Sequence, residues 1–431
     1  MSNPIIKRSY YAVDVCLISP LNITNGEDYY TDADLLKDGF GEYFVPGSSL
    51  AGAFRNYLGT KKDKESIYGF SAGQDGKMSS VFVSDLYLQD AQVDVRDHVK
   101  LTPEKTVDNK FDMQIIETGA TGSIYIEVVE RQNSNYDSGK IIANVIQAIH
   151  SGEIRIGADK NRGLGRLEVK QVGTREFFAK DLEKWEEFIA LAHDSAGYPE
   201  KVQYKTWVEK VEKPKPKYVK IIVPLKLEGG ISIRKYSAQK NRPDYEHVTC
   251  NGKPVIPGSS WNGAIRSDAY RILKELGYHN ASEIIDRWFG FVREQKERDR
   301  AQASQSLIVF GESILENAQA LPITRNRIDR FTGGTVSTAL YSEYSYFGGE
   351  TDLEIFIKRD QNFEYEEMMG LILLVLMDLN GGYISVGGLG SIGRGIFSLR
   401  DNKSWKIIDE REGVDQEMYM KALYRIIKGG A

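Results

Sequence analysis

Two stretches decide how this chain is read: VPGSSLAGAFR, from Val45 to Arg55, and IPGSSWNGAIR, from Ile256 to Arg266. They lie 211 residues apart and share Pro, Gly, Ser, Ser, Gly, Ala and Arg in register, so the chain carries an internal repeat of long period. Farther along, YGFSAG…SSVFVSDLYL (Tyr68 to Leu88) is answered in the same order by FGFVRE…QSLIVFGESIL (Phe289 to Leu315). Near the end of each half, IRIGADKNRGLGRLEV (Ile154 to Val169) aligns without a gap on ISVGGLGSIGRGIFSL (Ile384 to Leu399), now 230 residues on. The growing offset places insertions in the second copy.

Punctuation marks the boundary. After the helical DLEKWEEFIALAHDSAG comes YPEKVQYKTWVEKVEKPKPKYVK, rich in Lys, Glu and Pro, then the strand-like YVKIIVPLKL. The expected organisation is a first domain over 1–200, a linker over 201–217 with the join near Pro214 to Lys217, and a second domain over 218–431. The first copy opens on a matching strand, YYAVDVCLISPL, whose β-branched and aromatic residues suit a sheet. Within each copy the coarse order is strand, loop, helix after PGSS, strands, a long irregular stretch, strand, helix and a glycine-rich hairpin. That order predicts an α+β sandwich of ferredoxin type.

Composition narrows the function classes. At 431 residues the chain exceeds the size of one core, and 41% hydrophobic with 27% charged residues makes it globular. The net charge of -5, from 56 basic against 61 acidic side chains, gives no global nucleic-acid signature, so anion binding must be local. Cys16 and Cys250 are the only cysteines and the five histidines show no HxxxH or HxH spacing, which excludes a disulfide scaffold and a cysteine- or histidine-based zinc site. The longest apolar run, MMGLILLVLM, is too short to span a bilayer and the N-terminus lacks a signal-peptide core. A cytoplasmic protein without membrane contact is expected.

The PGSS turn joins Pro, which fixes φ, to Gly, which frees it, and to Ser, a preferred helix N-cap. A helix N-terminus gathers unpaired N–H donors, so a phosphate can be held by Ser48 and Ser49 or by Ser259 and Ser260, with Arg55 and Arg266 two turns later. A capped helix with surface arginines is the plainer reading of one copy; recurrence favours function. GLGSIG (Gly388 to Gly393) matches a dinucleotide-binding fingerprint, but IFSLR follows it as a strand where the fingerprint needs a helix. A glycine-rich hairpin that lets a polynucleotide backbone approach, aided by Lys160, Arg162, Arg166 and Arg394, fits both copies; a tight turn closing a sheet is the alternative. TRNRIDR (Thr324 to Arg330) adds a second basic strip with Arg325 and Arg327, whereas REQKERDR, beginning at Arg293, alternates in sign and is assigned no role. Upstream of each PGSS lies an acidic loop, TDADLLKD with Asp32, Asp34 and Asp38, and RPDYEHVTCNGKP with Asp244 and Glu246. A carboxylate there can hold a divalent cation against a phosphate or orient a ribose 2′-hydroxyl for attack on phosphorus.

Together these motifs resemble the RAMP (repeat-associated mysterious protein) superfamily, specifically the crRNA-binding backbone subunits of type III CRISPR interference complexes, in a tandem form as in type III-D. The resemblance covers nearly the whole chain. GEYFVPGSSLAGAFR and GKPVIPGSSWNGAIR stand where the family has its strand, loop and PGSS helix. RIDRFTGGTVSTALYSEYSYFGG (Arg327 to Gly349) resembles the family's middle motif, with DHVKLTPEKTVDNKFDMQIIETGATG (Asp97 to Gly122) as a looser counterpart. The resemblance implies two RRM-like ferredoxin domains, each with a thumb hairpin that interrupts a guide–target duplex. It further implies that the PGSS helix and glycine-rich loop hold crRNA, and that a loop aspartate cuts target RNA with a divalent ion, magnesium or manganese, not retained by the free protein. Carried over, that aspartate, catalytic and metal-binding, is Asp32, with Asp34 a close rival, in the first copy and Asp244 in the second. Implied partners are crRNA, target RNA and other backbone, small and large subunits. The chain departs from the family at Ala51 and Asn262, where a lysine is usual, and in LNITNGED and LEGGISIRK after the first strand. Alternatives are a non-cleaving RNA-binding scaffold subunit, a crRNA-processing endoribonuclease using His98 or His247 as base, and a dinucleotide-dependent enzyme built on GLGSIG.

Overall fold

The computed structural model describes residues 3–24, 26, 29–59, 61–73, 75–101, 107–134, 136–236, 243–293, 302–359, 365–402, 404–409 and 416–429. Most of REQKERDR lies outside them. The chain divides into two compact units: Met1–Val95 with Met113–Lys160 and Leu164–Pro216, and Lys217–Ala431 with Arg96–Asp112 and Asn161–Gly163.

The first copy runs through β1 (Ile5–Leu17), α1 (Gly47–Tyr57), β2 (Val81–Val83), a hairpin of β3 (Val93–Leu101) and β4 (Val107–Ile116), most of which groups with the second unit, then β5 (Thr121–Arg131), α2 (Ser138–Ser151) and β6 (Leu167–Phe178). The sheet runs β6–β1–β5–β2 with every neighbour antiparallel, the ferredoxin order, and the β3–β4 hairpin is an excursion between its second and third strands. Alternation puts Tyr11, Val13, Val15 and Leu17 into the core against α1 and α2. The other face is covered as well: Tyr10 and Ala12 pack under Phe188, Ala192 and Tyr198, and the Trp185 indole N–H donates to the Tyr10 hydroxyl at 2.7 Å. That cover is the DLEKWEEFIALAHDSAG segment, whose apolar residues fall at helical spacing.

The stretch read as a linker, 201–217, begins as part of this unit. Val202–Gln203 pairs with Val172 and Gln171, and Tyr204 and Trp207 lie against the core, because two large aromatics have more to gain from burial than from solvent. The division into units falls after Pro216, and residues 96–112 and 161–163 group with the second unit although the sequence places them in the first copy.

The second unit repeats the plan with β7 (Tyr218–Glu228), α3 (Gly258–Glu275), β8 (Ile308–Phe310), a hairpin of β9 (Gln319–Ile328) and β10 (Thr335–Phe347), β11 (Glu350–Lys358), α4 (Tyr365–Asn380), then β12 (Ile396–Leu399) and β13 (Lys406–Ile408), and finally α5 (Gln416–Gly429). Its sheet order, β8–β11–β7 followed by β12 and β13, is again the ferredoxin order, with the fourth strand split into two pieces that pair with opposite ends of β7. Val219, Ile221, Val223, Leu225 and Leu227 alternate into the core. MMGLILLVLM becomes α4, apolar all round because it lies between the sheet and α5, and no helix among the described residues is long and apolar enough to cross a membrane.

Strand register brings the motifs together. Leu17, at the end of β1, faces Leu167, at the start of β6, and Cys16 faces Thr121, at the start of β5. The acidic loop after β1, the hairpin before β5 and the glycine-rich loop before β6 therefore all leave from one end of the sheet. In the second unit Glu228 faces Ile396 and Lys226 faces Glu350, and the same three excursions share one end.

Candidate nucleic-acid interface

The glycine-rich loops are stitched to the chain that follows the first strand. Ala158 N–H donates to Asn22 O and Gly388 N–H to Ser232 O, both at 2.9 Å. Gly165 and Gly395 have φ of +73° and +69°, and a Cβ on either would lie 1.7 or 1.9 Å from the carbonyl oxygen of Ile156 or Val386. Only glycine fits, for reasons internal to the loop, so at these two positions the tight-turn reading is the one the structure supports. The loop also disposes of the dinucleotide alternative, since Ile396–Leu399 is a strand and no helix opens after GLGSIG. Of its basic residues, Arg162 is exposed, Arg166 is half-buried, and Lys160 is half-buried with an ammonium pKa lowered by desolvation. The Arg394 guanidinium stacks over the Phe347 ring at 4.2 Å.

The PGSS helices begin differently from the expectation that serine caps them. Pro46 and Pro257 occupy the N-cap positions and α1 and α3 start at Gly47 and Gly258. The serines thus lie inside the first turn, where the amides of Ser49 and Ser260 already donate to Pro46 O and Pro257 O at 2.9 Å. The two glycines are required by packing: a Cβ would lie 2.3 Å from Val83 O or Phe310 O on the second strand of each sheet. Gly47 N–H donates to the Asp85 carboxylate at 2.7 Å, so the first helix start holds an acidic group of its own chain. The matching residue in the second unit, Glu312, is ion-paired with Arg96. Ser48 and Ser49 are exposed and Ser259 and Ser260 half-exposed; Arg55 is half-buried. Arg266, expected to add a guanidinium to a phosphate site, is instead committed to the protein: it binds Asp286 at 2.7 Å and Gly290 O at 2.8 Å, and burial lowers its pKa despite Asp286.

The acidic loops correspond closely. Leu36 N–H donates to Ile23 O and Val248 N–H to Ile233 O, which sets Leu36 and Val248 in matching places 212 residues apart, the separation of Asp32 and Asp244. Each aspartate also precedes the residue that meets the returning hairpin strand: Ala33 O accepts from Gln114 N–H, and Tyr245 pairs with Glu343. Both are exposed. Asp34 is not a second candidate of the same kind. Its carboxylate is buried and accepts from the amides of Tyr29, Tyr30 and Thr31 at 3.0 Å and from Thr31 Oγ1 at 2.8 Å. Burial alone would raise its pKa, but these donors outweigh it and hold the carboxyl below the usual range. Asp34 builds the turn that carries Asp32. In the second loop Asp244 Oδ2 accepts from Ser342 N–H at 2.8 Å and lies 3.3 Å from Ser342 Oγ.

Behind Asp244, Glu343 is fully buried between Arg325 at 3.2 Å and Arg234 at 3.5 Å, and Arg234 stacks on Tyr245 at 4.6 Å. Arg327 is exposed farther out on the hairpin. Arg234 stands in the basic stretch RKYSAQKNR, to which the sequence alone assigned no role, and the pairing of β10 with the loop brings it to the Glu343 that also holds Arg325. His247 is no general base: Nδ1 accepts from Ile233 N–H, Nε2 bonds Val255 O, both at 3.0 Å, and burial lowers its pKa to about 4. His98 stacks on Phe111 at 5.1 Å. Among the described residues no group of three or more His, Cys, Asp or Glu side chains is arranged to hold a metal ion.

Two loops with matched aspartates, two hairpins, the second of them basic, and two glycine-rich turns thus converge on equivalent ends of two ferredoxin-like sheets. A family model of the RAMP superfamily matches residues 16–168 and again 244–398. The chain belongs to the RAMP superfamily. RAMP proteins are CRISPR-associated and bind RNA. The two matched regions of this RAMP protein contain both PGSS helices, both glycine-rich loops, both hairpins and Asp32 and Asp244. No curated protein matches it.

Proposed function

We propose that this RAMP protein is a crRNA-binding backbone subunit of a cytoplasmic type III CRISPR effector complex, in tandem form as in type III-D, and that it cuts target RNA at two places through Asp32 and Asp244. The observation that carries the reading is the correspondence of these aspartates, both exposed and both one residue ahead of the contact with the returning hairpin strand. A carboxylate in that place can orient a ribose 2′-hydroxyl, or accept its proton, for attack on the adjacent phosphorus; the P–O5′ bond breaks, leaving a 2′,3′-cyclic phosphate and a 5′-hydroxyl whose proton comes from water. Arg327, Arg162, Arg166 and Arg394 supply cations for the RNA backbone, while Arg325, paired with the buried Glu343, holds the base of the hairpin. The partners are crRNA, target RNA and neighbouring backbone, small and large subunits. Among the described residues each loop offers one exposed candidate carboxylate, Asp32 or Asp244, and no group of three or more His, Cys, Asp or Glu side chains could hold a metal ion. A magnesium or manganese ion would take its remaining ligands from RNA phosphate and water.

One observation favours a scaffold role for the second loop: Asp244 already accepts the Ser342 amide. The discriminating experiment is cleavage of a labelled guide-complementary RNA by the reconstituted complex with Mg²⁺, comparing wild type, Asp32→Ala, Asp244→Ala and the double variant. Loss of one distinct product per single variant supports two nuclease sites in one chain. Unchanged cutting in all four, with RNA still bound, overturns the nuclease reading and leaves a scaffold.

A further inference from the structure

The loop that carries Asp32 displays aromatic side chains its own fold does not use. Tyr29 and Tyr30 are 77% and 86% exposed, although rings of this size normally go to cores and interfaces. The backbone beneath them is fixed: both amides donate to the buried Asp34 carboxylate at 3.0 Å. A bare ring on an immobilised backbone loses little conformational freedom when a planar partner stacks on it. The chemistry next to the rings names that partner. Attack of a 2′-hydroxyl on the adjacent phosphorus requires nucleophile, phosphorus and leaving oxygen nearly in line, and an A-form helix holds the 2′-hydroxyl off that line. The nucleotide at the cut must therefore be splayed out of its stack, at a cost of a few kcal/mol. Unstacked RNA bases are commonly received on aromatic side chains. The second loop differs in sequence here, for the same 212-residue separation that matches Asp32 with Asp244 puts Asn241 and Arg242 in the places of Tyr29 and Tyr30.

We propose that Tyr29 and Tyr30 form a stacking platform for the nucleobase splayed out beside Asp32, a binding element particular to the first loop and tolerant of base identity. It rests on the RNA-binding reading above. The test uses the full chain and a fluorescently labelled single-stranded oligoribonucleotide of mixed sequence, with Kd read by anisotropy for wild type and for paired substitutions of Tyr29 and Tyr30 by Ala, Phe or Leu. Stacking of one base predicts a loss of about five-fold to about 150-fold for the alanine pair, retention by the phenylalanine pair and no rescue by the leucine pair. An abasic nucleotide, moved along the oligonucleotide, closes the gap between wild type and the alanine pair at one register. Alanine variants that bind like wild type, or leucine variants that bind like phenylalanine, overturn the platform while leaving RNA binding intact. Failure of the wild-type chain to bind RNA overturns both. The comparison of phenylalanine with leucine carries the test even where alanine lowers Tm.

Discussion

Acidification should loosen the second unit at one identifiable point. His247 is 2% exposed, and its ring joins Ile233 N–H to Val255 O, tying the loop of Asp244 to the strand that leads into α3. It must stay neutral to do so, since Nδ1 accepts a hydrogen bond. Burial lowers its pKa from 6.5 to about 4. The unfolded chain therefore binds the proton first, so the contribution of His247 is complete above pH 6.5 and is lost as pH falls toward 4. At about 1.36 kcal/mol per pH unit, roughly 2 kcal/mol should go between pH 7 and pH 5 and about 3 kcal/mol by pH 4. The assay is urea unfolding at several pH values, followed by fluorescence of Trp261 and Trp288, both buried in that unit. His247→Leu should be less stable at pH 7, because an amide and a carbonyl lose their partner, yet flatter in its pH dependence by the same roughly 2 kcal/mol. Parallel pH profiles for wild type and His247→Leu would refute the reasoning.

Asp34→Ala should speed hydrogen exchange at the amides of Tyr29, Tyr30 and Thr31 by at least about ten-fold, on the order of one lost charge-assisted bond, while global Tm moves little. Gly165→Ala and Gly395→Ala should each cost ~2 kcal/mol or more by thermal unfolding, whereas Gly393→Ala, whose Cβ would meet nothing within 4 Å, should cost only its backbone strain. Arg266→Gln should lower Tm by breaking the contacts to Asp286 and Gly290 and leave RNA affinity within about two-fold of wild type. Arg327→Gln, at an exposed position on the hairpin, should weaken RNA binding and flatten its salt dependence, as expected for a phosphate contact.

Tandem organisation and the α+β class could be read from the chain, because repeats and period-two burial are written locally in side-chain type; the two hairpins fall where the residues themselves read as long irregular stretches, and only the family resemblance implied them. The roles of individual polar residues were less legible, since identity does not say which way a side chain faces. Asp32 and Asp34 stand two positions apart in one acidic loop, yet one is exposed and the other is the buried acceptor that shapes the turn. Ser48 and Ser259 look like helix caps, but packing of Gly47 and Gly258 against the second strand moves the helix start two residues earlier. Arg266 reads as a phosphate ligand until Asp286, twenty residues on, is seen beside it. Arg234 acquires meaning only through Glu343, more than a hundred residues away.

In length, the two hairpin excursions are nearly equal. Between the bridges Gln89–Thr121 and Glu316–Glu350 they span 32 and 34 residues, so the second copy has grown by two positions there. From Val45 and Ile256 to Asp85 and Glu312, by contrast, the offset climbs from 211 to 227. Duplication has thus kept the two hairpins to nearly one gauge and let extra chain accumulate behind the PGSS helix. Excursion length is the conserved measure between the copies, differing by two residues, while the chain behind the PGSS helix absorbs sixteen, so a variant that lengthens that segment is the one the repeat already tolerates.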